Sequence, residues 1–229
     1  MKISGITDVF FDLDHTLWDF DRNSALAFQK IFRLSKIQVD IDLFLEHYKA
    51  INLEYWKLYR NEKIDKESLR LGRLNDAFKA LDYHIEPTVV KQLSQDYIAY
   101  LTDNNYLYDN TIEILEYLSE RYQLHILSNG FHEVQHKKLV KSNIHHYFKT
   151  VTNGESVGIK KPNPEIFHYA LRQANTTVNK SVMIGDGYEA DILGAKSIGM
   201  EVVYFDEFNQ ATDTEIRTIR HLIELKQFL

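Results

Sequence analysis

Val9-Phe10-Phe11-Asp12-Leu13-Asp14-His15-Thr16 opens on three apolar residues and closes on two acids. That is the pattern of a buried parallel strand leaving its sheet at a polar edge. Asp12 and Asp14 stand two residues apart, so extended geometry aims both at the same side. Taken alone, the pair reads equally as an acidic turn in which Asp14 caps the next few residues. The rest of the chain separates the two readings.

Further apolar runs at Leu124 to Leu127, Ser181 to Ile184 and Glu201 to Phe205, with a weaker one near Thr150 and Val151, also read as buried strands. Helical patterns lie between them: Ile112, Leu115 and Leu118 on one face, Ile166, Tyr169 and Ala170 on another, and Ile192, Ala195 and Lys196 after the fourth run. The alternation predicts an α/β fold, a doubly wound parallel sheet with right-handed crossovers. About a hundred residues with helical periodicity and no convincing strand separate the first two runs. They read as an inserted α-helical domain over 20–103, leaving 1–19 and 104–229 as the core. Inside the insertion Asp65 caps a helix running to about Leu81, and Pro87 opens the next. From about Asp213, the positions Ile216, Ile219, Leu222 and Ile223 predict a docked terminal helix.

The 229 residues suffice for one large core and a smaller second domain. With 44% hydrophobic and 26% charged residues the composition is that of an ordered globular chain. The absence of cysteine removes disulfides and thiolate metal sites, so a metal must be held by oxygen or histidine. A net charge of −6 argues against binding a nucleic-acid polymer, while leaving room for one local basic site and a small phosphorylated substrate. No apolar run approaches a membrane span, and the start from Met1 lacks the pattern of an export signal, so a cytoplasmic location is expected.

Two more strands end in polar residues: Leu127-Ser128-Asn129-Gly130, and Ile184-Gly185-Asp186-Gly187 followed by Asp191. In an open parallel sheet these ends share the carboxyl edge, where ligands bind. Ser128 alone could be a helix cap and Asp186 a loop acid; their joint placement argues for a site. Between them Lys160-Lys161-Pro162-Asn163-Pro164 puts a basic pair before a helix. Lys160 reads as a solvated turn residue and Lys161 as the cation compensating the acids. A carboxylate nucleophile, hard oxygen ligands for magnesium and a fixed ammonium are what phosphoryl transfer from an ester requires.

In this order and spacing, Asp12 to Thr16, Ser128, Lys161, and Gly185-Asp186 with Asp191 resemble the haloacid dehalogenase superfamily of phosphatases. The resemblance implies a five-stranded parallel core with a helical cap inserted after the first motif. It implies Asp12 as nucleophile and magnesium ligand, Asp14 as general acid and base and as a ligand through its carbonyl, and Asp186 as third protein ligand. Asp191 would support the metal site, and Thr16, Ser128, Asn129 and Lys161 would hold the phosphoryl group. Gly187 departs from a pattern in which many relatives carry serine or threonine.

Ser128-Asn129-Gly130-Phe131 with Gln135, the stretch Glu155 to Pro162, and Asn52 with Trp56 and Tyr59 look like the noncanonical pyrimidine nucleotidase branch. That resemblance implies a small phosphorylated metabolite, a pyrimidine nucleoside monophosphate, as substrate; a monomer or small homo-oligomer is expected. Asn52, Trp56 and Tyr59 fall on one helical stripe and are the expected specificity residues, with Tyr48, Ile51, Tyr55 and Leu58 on the packing stripe beside it. Sugar phosphates are the alternative substrates, and a phosphate-binding module without turnover is the alternative outside enzymes.

Overall fold

The computed structural model describes residues 2–209, 211 and 213–229. It forms two compact units, Met1–Phe20 with Asn105–Leu229, and Asp21–Asn104.

The first unit is built on strands β1 (Asp8–Phe11), β2 (Gln123–Ser128), β3 (Phe148–Asn153), β4 (Ser181–Gly185), β5 (Glu201–Phe205) and β6 (Arg217–Ile219). Among the described residues they make one parallel sheet in the order β3-β2-β1-β4-β5-β6. β1 is central and buried along its length, which is why Val9, Phe10 and Phe11 run without alternation. Strand order reverses at β1, so the edge just beyond Phe11, between β2 and β4, is the topological switch point.

The sheet has six strands, one more than expected, and the extra one lies where a terminal helix was expected. Arg217, Thr218 and Ile219 pair with Val203, Tyr204 and Phe205, satisfying backbone groups that β5 would otherwise leave open. The chain then closes in a 3-10 helix, Leu222–Gln227, burying Leu222 and Leu225. A spacing of three fits a 3-10 turn as well as an α-helical face, so the apolar period misled there. Ile112 is a smaller correction: it is exposed, and Thr111, Ile114, Leu115 and Leu118 form the buried face of their helix.

The second unit holds helices α1 (Phe20–Ser35, its first residue belonging to the first unit), α2 (Ile41–Arg60), α3 (Lys66–Ala80) and α4 (Pro87–Tyr100). Asp65 caps α3 by accepting from the Ser68 N–H at 2.7 Å, and Pro87 occupies the first turn of α4. Its core is aromatic: Phe28, Phe32, Phe44, Tyr48, Phe78 and Tyr97 pack ring against ring. On α2 the two stripes fall differently from expectation. Leu58 is exposed, whereas Asn52 and Tyr59 are buried, with the Trp56 and Tyr59 rings edge to face at 5.7 Å.

In the first unit α5 (Thr111–Ser119) leads into β2, and α6 (His132–Lys141) follows it. The short α7 (Gly154–Val157), α8 (Pro164–Ala174), a π-helical turn at Tyr188–Leu193 and α9 (Gly194–Ser197) complete the crossovers. No helix among the described residues is long and apolar enough to cross a membrane.

Candidate active site

Asp12 is the first residue past β1, and its N–H still donates to the Ile184 carbonyl of β4 at 2.9 Å. The backbone is thus fixed by the sheet while the carboxylate faces the carboxyl edge. Lys161, 2% exposed, reaches it from the loop before α8: its ammonium lies 2.6 Å from Asp12 Oδ1, 2.6 Å from Asp191 Oδ1, and donates to the Leu127 carbonyl at 2.6 Å. Asn129 clamps the Lys161 backbone from both sides, accepting from its N–H at 2.8 Å and donating to its carbonyl at 2.9 Å.

Asp186, beyond β4, is held by Thr16, whose buried hydroxyl donates to Asp186 Oδ1 at 2.9 Å and accepts from its N–H at 3.1 Å. Asp191 returns from the π-helical turn, accepting the Gly187 N–H at 2.9 Å. It fits only because two glycines face it: a Cβ at Gly185 would lie 2.3 Å from Asp191 Oδ2, and one at Gly187 2.8 Å. The departure at Gly187 thus coincides with a close approach of this carboxylate.

Ligand atoms of Asp12, Asp186 and Asp191 all lie within 4.8 Å of one another. Two buried acids, Asp12 and Asp191, and the half-buried Asp186 face one ammonium, so negative charge is in surplus. Burial first, and then Asp191 and Asp186, push the Asp12 carboxyl well above the usual range despite Lys161. Burial and Asp191 push Asp186 up to about 7, against the Thr16 hydroxyl and Lys161. Burial alone would lower the Lys161 ammonium; Asp12 and Asp191 more than reverse it and hold it above its ordinary value. A cluster of converging carboxylate oxygens with this imbalance fits a hard divalent cation, which would relieve the repulsion.

Asp14 sits on the turn after Asp12, and both of its oxygens are occupied. Lys138 donates to Oδ1, and Gln135 donates to Oδ2 at 2.8 Å while also donating to the Ser128 Oγ at 2.7 Å. The Lys138 ammonium lies 4.2 Å from the centre of the Trp18 ring. Lys138 was missed in the sequence, and Gln135 was noticed only as part of a resemblance. Their signal is a spacing of three on α6, which puts both on one face, but nothing local says that this face meets Asp14.

The structure therefore brings Asp12, Asp14, Thr16, Ser128, Asn129, Lys161, Asp186 and Asp191 to one sheet edge. Asn52, Trp56 and Tyr59 lie in the helical unit.

A family model described as a hydrolase, haloacid dehalogenase-like hydrolase, matches residues 8–199. YfnB of Bacillus subtilis, named as a HAD-hydrolase, is 28% identical over 225 residues, which cover 96% of this chain and 94% of that one. The YfnB crystal structure bound to magnesium superposes with a TM-score of 0.87 at 26% identity, covering 97% of each chain. The pyrimidine 5′-nucleotidase YjjG of Escherichia coli is 29% identical over 225 residues, 96% of either chain. A glyceraldehyde 3-phosphate phosphatase of Methanothermobacter thermautotrophicus is 31% identical over 202 residues, 85% of this chain and 83% of that one.

Proposed function

The chain belongs to the haloacid dehalogenase-like hydrolases, and on that premise we propose that it is a magnesium-dependent phosphomonoester hydrolase, a 5′-nucleotidase for pyrimidine nucleoside monophosphates. The observation that carries the phosphatase reading is the pairing of two different acids on one turn. Asp12 is buried among charges and Asp14 is held two residues later by neutral and cationic donors.

In this reading a carboxylate oxygen of Asp12 attacks phosphorus, and the bond from phosphorus to the leaving oxygen breaks. Asp14 gives that oxygen its proton. Asp14 then takes a proton from water as the water oxygen attacks phosphorus. The Asp12–phosphorus bond breaks, and inorganic phosphate leaves. Lys161 neutralises the nucleophile's approach to an anionic phosphate and stays charged throughout. Magnesium, when bound by Asp12, Asp186 and the Asp14 carbonyl with Asp191 in support, supplies charge neutralisation on the phosphoryl oxygens. Ser128 offers a hydroxyl to the phosphoryl group. Thr16 and Asn129 join Ser128 and Lys161 in holding the phosphoryl group, and they also fix Asp186 and Lys161 respectively.

The nucleotidase reading is supported by YjjG and by a second similar pyrimidine 5′-nucleotidase, PynA of Streptococcus pneumoniae. We assign the choice of substrate to the helical unit, to the stripe of Asn52, Trp56 and Tyr59, of which Trp56 is the most accessible member. The glyceraldehyde 3-phosphate phosphatases favour a small sugar phosphate as the second reading. Purified protein assayed with uridine and thymidine monophosphates and with triose and pentose phosphates, with and without magnesium, tests both. Preference for the pyrimidine nucleotides is expected. Preference for the sugar phosphates selects the second reading, and no phosphate release with any metal overturns the enzyme.

A further inference from the structure

Arg73 lies on α3 and is 3% exposed. One guanidinium N–H donates to Asn52 Oδ1 of α2 at 2.7 Å, and the group lies 5.7 Å and 5.2 Å from the ring centres of Tyr48 and Tyr97. Nε is buried and makes no hydrogen bond, and among the described residues no carboxylate pairs with the group. The acid one turn along α3, Asp76, is exposed and accepts from the Tyr55 hydroxyl at 2.7 Å instead.

A guanidinium cannot shed its proton, so burial cannot neutralise it as it would a lysine. Nor do the neighbouring phenols supply a negative charge. Burial holds Tyr48 and Tyr97 above their ordinary values, and each stays neutral although Arg73 pulls the other way. One neutral amide and two ring faces are weak compensation for a buried cation with five N–H donors, since such a charge gives up strong hydration on leaving water. An oxyanion is the chemistry that completes this arrangement, because its oxygens match the planar fork of the guanidinium. We infer that the helical unit carries an oxyanion-binding site, centred on Arg73 and flanked by Asn52, Tyr48 and Tyr97, for a phosphate or carboxylate group. The site does not depend on the phosphatase reading, and its test is read on stability, so failure of one leaves the other standing.

The full chain is unfolded thermally across a sulfate titration, with chloride holding ionic strength constant, as wild type and as Arg73→Met. The wild type is expected to show a saturable rise in Tm, and Arg73→Met to lose at least half of it. Arg73→Lys keeps the charge without the fork, is expected to lose a similar share, and serves if the methionine variant does not fold. Inhibition of p-nitrophenyl phosphate hydrolysis by sulfate separates two sources of the oxyanion. If the group bound is the substrate's own phosphoryl, Arg73→Met raises both KM and the sulfate inhibition constant about tenfold. If it is a free oxyanion, both constants stay as in wild type while the stability response falls. A sulfate response of equal size in wild type and both variants overturns the site, as does the absence of any saturable rise in the wild type.

Discussion

β1 has an aspartate at each end, and the two are treated in opposite ways. Asp8, at its start, accepts from Thr7 at 2.6 Å, Thr176 at 2.7 Å and the buried His125 at 3.0 Å. Burial would raise its pKa, but these donors overcome it and leave the carboxyl below its usual value. Asp12, just past the other end, shares one lysine with Asp191 and faces Asp186, and its carboxyl is driven up. Only three residues, Val9, Phe10 and Phe11, separate a satisfied carboxylate from a frustrated one. The satisfied one stabilises the fold. The frustrated one stores charge repulsion that a bound cation would relieve, the kind of charge imbalance that clusters at functional sites.

The largest effect should come from Asp12→Asn, with turnover falling by about 10⁴-fold or more because the amide cannot attack phosphorus. The melting temperature of the metal-free variant should equal or exceed that of the wild type, since one member of a repelling cluster is gone. Activity near wild type would remove Asp12 from the chemistry, and a collapsed fold would erase the contrast with Asp8.

Asp14→Asn should lower turnover about 10²–10⁴-fold on an alkyl phosphate. Measured as kcat/KM, the loss on p-nitrophenyl phosphate should be smaller, because that leaving group departs without a proton. Equal losses on both substrates would deny Asp14 the acid role.

Lys138→Met removes a donor from Asp14 while leaving Asp12 and its partners untouched. A loss of about 10- to 100-fold in kcat/KM is expected, by analogy with groups that orient metal ligands. Magnesium affinity, measured by titration calorimetry, should be little changed, because Lys138 holds the Asp14 carboxylate and not the carbonyl proposed to bind the ion. A large change in that affinity would place Lys138 at the cation site instead.

Asp8→Asn is the converse test and the one with the smallest effect on catalysis. Activity should be close to wild type, while stability falls by about 1–3 kcal/mol because the buried His125 loses its charged acceptor. The two ends should also respond oppositely to pH. Burial lowers the His125 pKa from 6.5, the Asp8 contact opposing it. The unfolded chain therefore takes up the proton first, and stability present above about pH 6.5 is lost as the pH falls. Asp186 is raised to about 7 from 3.8, so the metal-free protein gains stability as the pH falls through 7 toward 4. Melting curves of Asp186→Asn should show less of the gain, since Asp12 still contributes to it, those of His125→Phe should lack the loss, and magnesium should flatten only the gain. A single shared slope in all of them would break the comparison.

The α/β alternation, the interruption after the first strand, and the acids and lysine at the strand ends are all legible in the sequence. Those features are local: apolar runs, turn residues and acids at strand exits can be read within a few positions. The cap at Asp65 and the helix opening at Pro87 are legible too, because a single residue sets each boundary. The sixth strand was not, because three residues at a sheet edge are chosen by the open hydrogen bonds of β5 and not by their own period. Tertiary contact alone sets Gln135 and Lys138 against Asp14 across more than a hundred residues, makes Asn129 and Thr16 the supports of Lys161 and Asp186, and buries Arg73 with no paired carboxylate among the described residues. Each of these is a pairing between distant segments, and the free energy of a buried charge depends on what the fold sets beside it, which no local pattern encodes.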